Sequence, residues 1–176
     1  MSAKLVIIFA GVLALAGCNV VPDPAVFPYA KDQVQKMLVD SKTTLPRRDG
    51  PGEISIWGDY RTSKGVKLNM KYASWAPLLE CEAIVTSISP KETRVVADCG
   101  KSANSDSAIS RTQDALRAPM FEEHIAATLN KRAFNRSKVD AKNSVAVFQN
   151  LGGMQREALQ TAQTAEDFRR RADALR

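Results

Sequence analysis

Residues 66–72 alternate between apolar and polar side chains more regularly than any other part of the chain. The apolar positions and the polar positions between them are, in order, Val66, Leu68, Met70 and Tyr72 against Lys67, Asn69 and Lys71. A period of two places each set on one face of a β-strand, so this segment predicts a strand with one buried face. A single strand is not stable in water, and the rest of the chain must therefore supply neighbouring strands and a second layer.

Three further segments have the composition of strands, and they surround the first one in sequence. They span residues 53–60, 80–89 and 91–99. The connections between successive strands are short, which favours antiparallel neighbours. The pattern predicts a meander of about four antiparallel strands.

Apolar residues at helical spacing predict helices before and after these strands. The predicted helices span residues 29–40, 108–117, 119–134 and 154–175. Ser107 is a suitable N-cap for the second of them, and Pro119 is expected near the start of the third. The sequence therefore predicts an α+β fold: a single domain with about four antiparallel strands packed against helices, plus a C-terminal helix.

Two segments outside these elements are harder to assign. Residues 41–52 contain prolines and glycines and are predicted to form a loop. Residues 144–151 fit either a short strand or a helical turn, and the sequence leaves both open. Gly152 and Gly153 are expected to interrupt the chain before the last helix, which sets the division between residues 29–151 and residues 152–176.

The last helix carries apolar or small residues spaced alternately by three and four. They are Leu151, Met154, Ala158, Thr161, Ala165, Phe168, Ala172 and Leu175. This spacing is that of a heptad seam, although alanine makes it thin. The helix is therefore expected either to pack on its own domain or to bind a partner or a second copy.

Cys81 and Cys99 lie in the two predicted strands that flank Pro90. In a hairpin centred on Pro90, residue i faces residue 180 − i, so Cys81 faces Cys99 directly. A cross-strand pair can be bridged by a disulfide when it occupies a non-hydrogen-bonded site. The alternative, a reactive thiol, has little support, because the chain has no C-x-x-C motif.

The N-terminal segment has the layout of a secretory signal. Lys4 is followed by the apolar residues 5–15, a run too short to be a permanent membrane span. The residues Leu15-Ala16-Gly17-Cys18 that close this run resemble the lipobox of bacterial lipoproteins. The resemblance implies cleavage before Cys18 by signal peptidase II and attachment of acyl chains to that residue. Residues 1–17 are then the signal peptide.

The resemblance also implies a location. Asn19 follows the cysteine, and in Gram-negative systems this favours the outer membrane over retention in the inner one. We therefore expect a lipid-anchored protein of the bacterial cell envelope, at the outer membrane and facing the periplasm. Export also favours the oxidised form of the Cys81–Cys99 pair. Residues 18–28 contain three prolines and are expected to form a tether between the lipidated cysteine and the domain.

The net charge of the chain gives little information about the partners that the protein binds. The chain has a net charge of +6, and removal of the signal with Lys4 leaves +5. This excess favours contact with anionic lipids or acidic envelope polymers. The expected partners are the membrane, through the lipid anchor, and an envelope protein. Nucleic acid is not expected for an exported protein, and no cofactor or metal is predicted.

No motif for a catalytic site is present. The sequence lacks H-E-x-x-H, G-x-S-x-G, S-x-x-K and a phosphate-binding G-x-x-x-x-G-K loop, and it contains one histidine, His124. His124 follows Glu122 on a predicted helix and is expected on a solvent-facing flank. Glu80 and Glu82 share one face of a predicted strand, where a solvated surface is expected. These four residues are the first candidates if the protein is an enzyme.

The remaining candidate binding residues are aromatic. Trp57, Tyr60, Tyr72 and Trp75 lie in or beside the first two predicted strands. They are candidates for a surface that binds a sugar ring or an apolar partner, or for ordinary core and edge packing. The sequence thus favours a membrane-anchored, non-enzymatic interaction or assembly module. An enzyme acting on envelope polymer or lipid and a small-ligand carrier are the alternatives.

Overall fold

The fold of the protein is α+β, as predicted, and its sheet has six strands rather than four. The computed structural model describes residues 23–101 and 106–174, so the predictions for the signal peptide and for Cys18 lie outside the described residues. The elements are β1 (Val26–Phe27), α1 (Lys31–Val39), β2 (Lys42–Pro46), β3 (Glu53–Arg61), β4 (Gly65–Lys71), β5 (Leu78–Ser89), β6 (Glu92–Asp98), α2 (Ala108–Leu129) and α3 (Arg136–Ala174).

The sheet is antiparallel throughout, with the strand order β1-β6-β5-β4-β3-β2. Its central four strands are the predicted meander. The two edge strands fall in segments predicted to lack regular structure: β2 lies within the expected loop of residues 41–52, and β1 lies within the expected tether. Phe27 in β1 pairs with Thr93 of β6 and is buried, so the folded body begins before residue 28.

One face of the sheet carries the core. The alternation predicted for residues 66–72 places Val66, Leu68 and Met70 on the buried face, together with Ile54 and Ile56 of β3. Helix α1 packs on this face through Val34 and Leu38, and the C-terminal half of α2 packs there through Phe121, Ile125 and Leu129. No helix of residues 23–101 and 106–174 covers the opposite face of the sheet, which carries most of the charged strand residues.

The β5–β6 hairpin has the predicted register from Glu82 to Ser87, where the residue numbers of each facing pair sum to 180. Beyond Ser87 the register shifts by one, and the turn itself lies over residues 90–91. Continuing the ladder by one residue places Cys81 opposite Cys99. Their sulfur atoms are at bonding distance, 1.93 Å, so the hairpin brings the cysteines together as predicted.

We expect the double substitution Cys81→Ala, Cys99→Ala to lower the free energy of unfolding by roughly 3 kcal/mol, the chain-entropy value for a short loop. Urea denaturation with and without reductant measures this. Reductant should destabilise the wild-type protein by a similar amount and leave the double variant unchanged. A wild-type stability that reductant leaves unchanged would contradict the assignment of the bond.

Both long helices are continuous where the sequence predicted interruptions. Helix α2 includes Pro119 in its interior, so residues 108–117 and 119–134 do not form two helices. Helix α3 runs from Arg136 through Gly152 and Gly153 to Ala174, so residues 144–151 are helical. The expected boundary at residue 152 therefore lies inside one helix.

The reason that glycine is found inside α3 is close contact with α2. A Cβ atom at Gly153 would lie 2.6 Å from the Cβ atom of Ala108, whereas a Cβ atom at Gly152 would meet no atom of the described residues within 4 Å. The absence of a side chain at Gly153 lets the two helices approach each other. Packing between the helices outweighs the low helix propensity of the glycine pair.

These two glycines provide a matched pair of substitutions. Gly152→Ala should raise the free energy of unfolding by up to about 1 kcal/mol, because alanine has the higher helix propensity. Gly153→Ala should lower it, because the added methyl group collides with Ala108. Chemical denaturation of the two variants tests this, and equal effects at the two positions would contradict the close packing.

Candidate functional site

The four candidate aromatic residues do not form one surface. Trp57 lies on the uncovered face of the sheet, while Tyr72 packs against the core on the other side. Tyr60 lies near the far end of β3, beside the β3–β4 turn, and more than half of it is exposed. The structure brings together only Tyr72 and Trp75, in the connection between β4 and β5.

Arg47, which the sequence analysis did not single out, links these two aromatic residues. Its guanidinium carbon lies 5.2 Å from the ring centre of Tyr72 and 5.9 Å from that of Trp75. A salt bridge of 3.1 Å holds it to Asp49. This hydrogen-bonded pair raises the pKa of Arg47 and lowers the pKa of Asp49.

We call Arg47, Asp49, Tyr72 and Trp75 the arginine–aromatic cluster. It joins the β2–β3 loop to the β4–β5 loop at one end of the sheet. Trp75 is 75 % exposed, so a large part of the indole is free for contact with another molecule. The arrangement offers a flat apolar ring positioned by a cation, which suits an apolar side chain or the face of a sugar ring.

His124 is fully buried and does not lie on a solvent-facing flank, so that prediction was wrong. The Ser41 hydroxyl donates to the carbonyl oxygen of Leu38 at 2.6 Å and therefore accepts from His124 Nε2, 2.8 Å away. Nδ1 is then the acceptor for the Thr43 hydroxyl at 2.8 Å. The neutral ring thus has a hydrogen-bond partner at each nitrogen, and these bonds tie α2 to the α1–β2 connection through Ser41 and to β2 through Thr43.

The carboxylates considered for acid–base chemistry are in separate places. Glu122 pairs with Lys142 at 2.6 Å, and Glu80 pairs with Lys67 at 2.8 Å on the uncovered face of the sheet. Glu82, on that same face, accepts a hydrogen bond from Thr62. In the described ranges, no group of three or more His, Cys, Asp or Glu residues is placed to hold a metal ion.

Glu123, the neighbour of His124, stabilises the turn between α2 and α3. It is almost completely buried, accepts two hydrogen bonds from Arg132 and accepts a third from the Asn135 amide at 2.8 Å. Burial disfavours the charged carboxylate, but these hydrogen bonds outweigh it and lower the pKa of Glu123. The role of this pair is to fix where α3 begins.

A cleft lies between the β1–β6 edge of the sheet and the two long helices. Its walls include Phe27, Val95, Ile125 and Val139, and its volume is about 200 Å³. Pockets for drug-sized ligands usually measure about 300–1,000 Å³. The cleft has room only for a small molecule or one side chain.

Helices α2 and α3 form an antiparallel pair that extends away from this cleft. Glu122 contacts Lys142, Thr112 Oγ1 lies 3.4 Å from the sulfur of Met154, and Glu157 accepts hydrogen bonds from the amides of Ala108 and Ile109. Glu157 therefore caps the first turn of α2, and these amide hydrogen bonds lower its pKa.

Ser107 is the N-cap of α2, as predicted, and its side chain accepts a hydrogen bond from the Ser110 amide at 2.9 Å.

Helix α3 continues past the start of α2 for seventeen residues, 158–174, which we call the overhang. All of its residues are exposed, including Leu159 and Phe168, which are 64 % and 67 % exposed. A shallow groove follows the overhang from Ser107 and Ile109 past Thr161 and Ala165 to Phe168. The heptad seam predicted from the sequence is thus uncovered along the overhang.

Comparisons of the chain with protein-family models, with curated proteins and with solved structures find no match. Among the helices of the described ranges, none is long and apolar enough to cross a membrane.

The buried histidine predicts how stability depends on pH. Burial lowers the pKa of His124 from 6.5 to about 4. Between these values the unfolded chain binds a proton that the folded chain does not, so stability falls as the pH is lowered through this range and levels off below it. Between pH 7.5 and pH 5 the expected loss from this residue is about 2 kcal/mol.

Urea denaturation of the wild-type protein and of His124→Gln at both pH values measures this contribution. Other groups titrate equally in both proteins, so the difference between them isolates the imidazole. The variant should lose about 2 kcal/mol less than the wild type between the two pH values. Equal losses in the two proteins would contradict the buried, neutral state.

Proposed function

We propose that the protein is a lipid-anchored protein of the bacterial cell envelope that acts as a non-enzymatic interaction or assembly module. The observation that carries this proposal is the overhang of α3. Helices in proteins gain most of their stability from packing of one face, and no element among the described residues packs on the overhang. A helix that leaves the folded body with a heptad seam uncovered is therefore well suited to bind a partner along that seam.

The position of the N-terminal edge supports a close association with the membrane. The described body begins at Asp23, which pairs with Arg94, and Cys18 lies five residues earlier. Five extended residues reach at most about 18 Å. Lipidation of Cys18 would therefore hold the body near the bilayer surface, within reach of other envelope proteins.

The two alternative functions have weaker support. An enzyme would need an accessible acid–base group, but His124 is buried with both nitrogens bonded, and Glu122 and Glu80 are paired with lysines. A small-ligand carrier would use the cleft beside the β1–β6 edge, and its volume of about 200 Å³ is small for that task.

We expect a photoreactive amino acid at position 168 to crosslink the full-length chain to a protein partner in intact cells. The reason is that the overhang is exposed and its seam includes Phe168. The control places the same amino acid at Arg170, which lies away from the seam on the same helix. Adducts at both positions or at neither would contradict partner binding through the seam.

Anchoring is tested separately with Cys18→Ser in the full-length chain. The wild-type protein should sediment with membranes and resist extraction by salt and high pH, because several acyl chains on one residue anchor firmly. The variant should lose this membrane association. Identical fractionation of the two proteins, whether soluble or membrane-bound, would contradict lipid anchoring at this residue.

A further inference from the structure

We infer that the overhang of α3 pairs with the overhang of a second copy of this chain, antiparallel and about a two-fold axis. The inference rests on the proposed function, in which the overhang is the partner-binding element, and it names the partner.

The seam of the overhang continues an interface that already exists within the chain. From Val139 to Glu157, one side of α3 is covered by α2. After Glu157 the same side carries Thr161, Ala165 and Phe168, and no element among the described residues covers it. A second helix that continued the line of α2 would cover these residues in the same way that α2 covers the preceding ones.

The position of α2 selects the direction of that second helix. In a parallel, in-register pair, the partner helix would need the space beside residues 139–157 that α2 already occupies. In an antiparallel pair, the partner's overhang lies only beside residues 158–174, and the rest of the partner's α3 lies beyond the end of the first helix. The overhangs, each about 25 Å long, then fill each other's uncovered side. The same surface serves both copies, as a two-fold axis requires.

The heptad positions determine the register. If residues 158–174 of the two copies overlap fully, the numbers of any two facing residues sum to about 332. The seam positions of the two helices face each other when this sum is 333, which pairs Ala165 with Phe168 and Thr161 with Ala172. Each phenyl ring then packs beside a small residue of the other helix.

The charged residues are also compatible with this arrangement. A parallel pair would place Arg169, Arg170 and Arg171 of one copy beside the same three residues of the other, which is unfavourable. In the antiparallel pair these arginines lie beside residues 162–164, which are uncharged. Glu166 of one copy then lies on the same side of the helix pair as Arg169 of the other. Their separation measured along the helix axis is only about 3 Å.

An interface of two such short helices is small compared with stable protein–protein interfaces. Anchoring of both copies in one membrane compensates for this, because confinement raises the effective concentration of each overhang for the other. We therefore expect the two copies to associate when both are anchored in a membrane.

The test is cysteine crosslinking in membranes from cells that produce the full-length chain. In the double variant Thr161→Cys, Ala172→Cys, oxidation should give a covalent dimer. The two positions are eleven residues apart on one helix, about 16 Å, so they cannot bridge within a chain. The matched control, Gln163→Cys with Arg170→Cys, has the same sum of residue numbers but faces outward, and it should give little dimer.

A further pair of variants tests the central contact in the same crosslinking background. Phe168→Asp should lower the dimer yield of the Thr161, Ala172 cysteine variant by about a factor of ten or more. Leu159→Asp, at an equally exposed position outside the seam, should leave the yield unchanged. Equal sensitivity at the two positions would overturn the proposed contact.

The remaining outcomes separate this inference from the proposed function. A dimer formed by Thr161→Cys alone, in preference to the double variant, would overturn the antiparallel register. Crosslinking of the double variant to a different protein would overturn the inference of a second copy and leave the interaction module standing. If the double variant gives no dimer while the photoreactive residue at position 168 forms an adduct with a different protein, the second copy is overturned and the interaction module stands. No product in either experiment would overturn both.

Discussion

Burial of the C-terminal half of α2 beneath the sheet is the interaction on which the rest of the architecture depends. Phe121, Ile125 and Leu129 enter the core, and between them His124 is hydrogen bonded to Ser41 and Thr43. One half of a continuous helix is thus held firmly, and the other half extends from the body. The direction in which α3 projects follows from this, because α3 packs along α2.

The turn between the two helices strengthens the same arrangement. Glu123 is buried and paired with Arg132, and the beginning of α3 is tied to the sheet by Arg48 with Asp140 and by Arg136 with the carbonyl oxygen of Pro46. Helix α3 then passes the cleft that Pro24 and Ala25 also line. Residues 24–25 and the first turns of α3 therefore lie at the same edge of the sheet.

The sequence predicted the elements whose signal is local. Alternation over residues 66–72 and the symmetry of the cysteines about Pro90 were sufficient for the central strands and the hairpin. It did not predict β2, because that strand is short and is formed by pairing with β3. It also failed at Pro119 and at Gly152–Gly153, where packing between α2 and α3 overrides residues that usually interrupt helices. At Gly153 the glycine is required by the close approach of Ala108.

Local sequence signals also failed to predict the surroundings of the candidate site residues. Sequence spacing could not reveal that His124 faces the core, because its partners, Ser41 and Thr43, lie more than 80 residues away. Arg47 was also missed: its stacking on Tyr72 and Trp75 arises where two loops meet at one end of the sheet. The heptad seam, in contrast, was visible in the sequence. The structure adds where that seam is covered and where it is not.

Helix α3 is one straight element that carries an uncovered seam away from the body. Its straightness is measured by the distance between spin labels at Ser144 and Gln163, in full-length chains diluted with unlabelled protein. Nineteen helical residues separate the labels, so a continuous helix predicts a single narrow distribution centred near 28 Å. A broad distribution, or a clearly shorter distance caused by a bend at Gly152–Gly153, would show that α3 is not one straight helix.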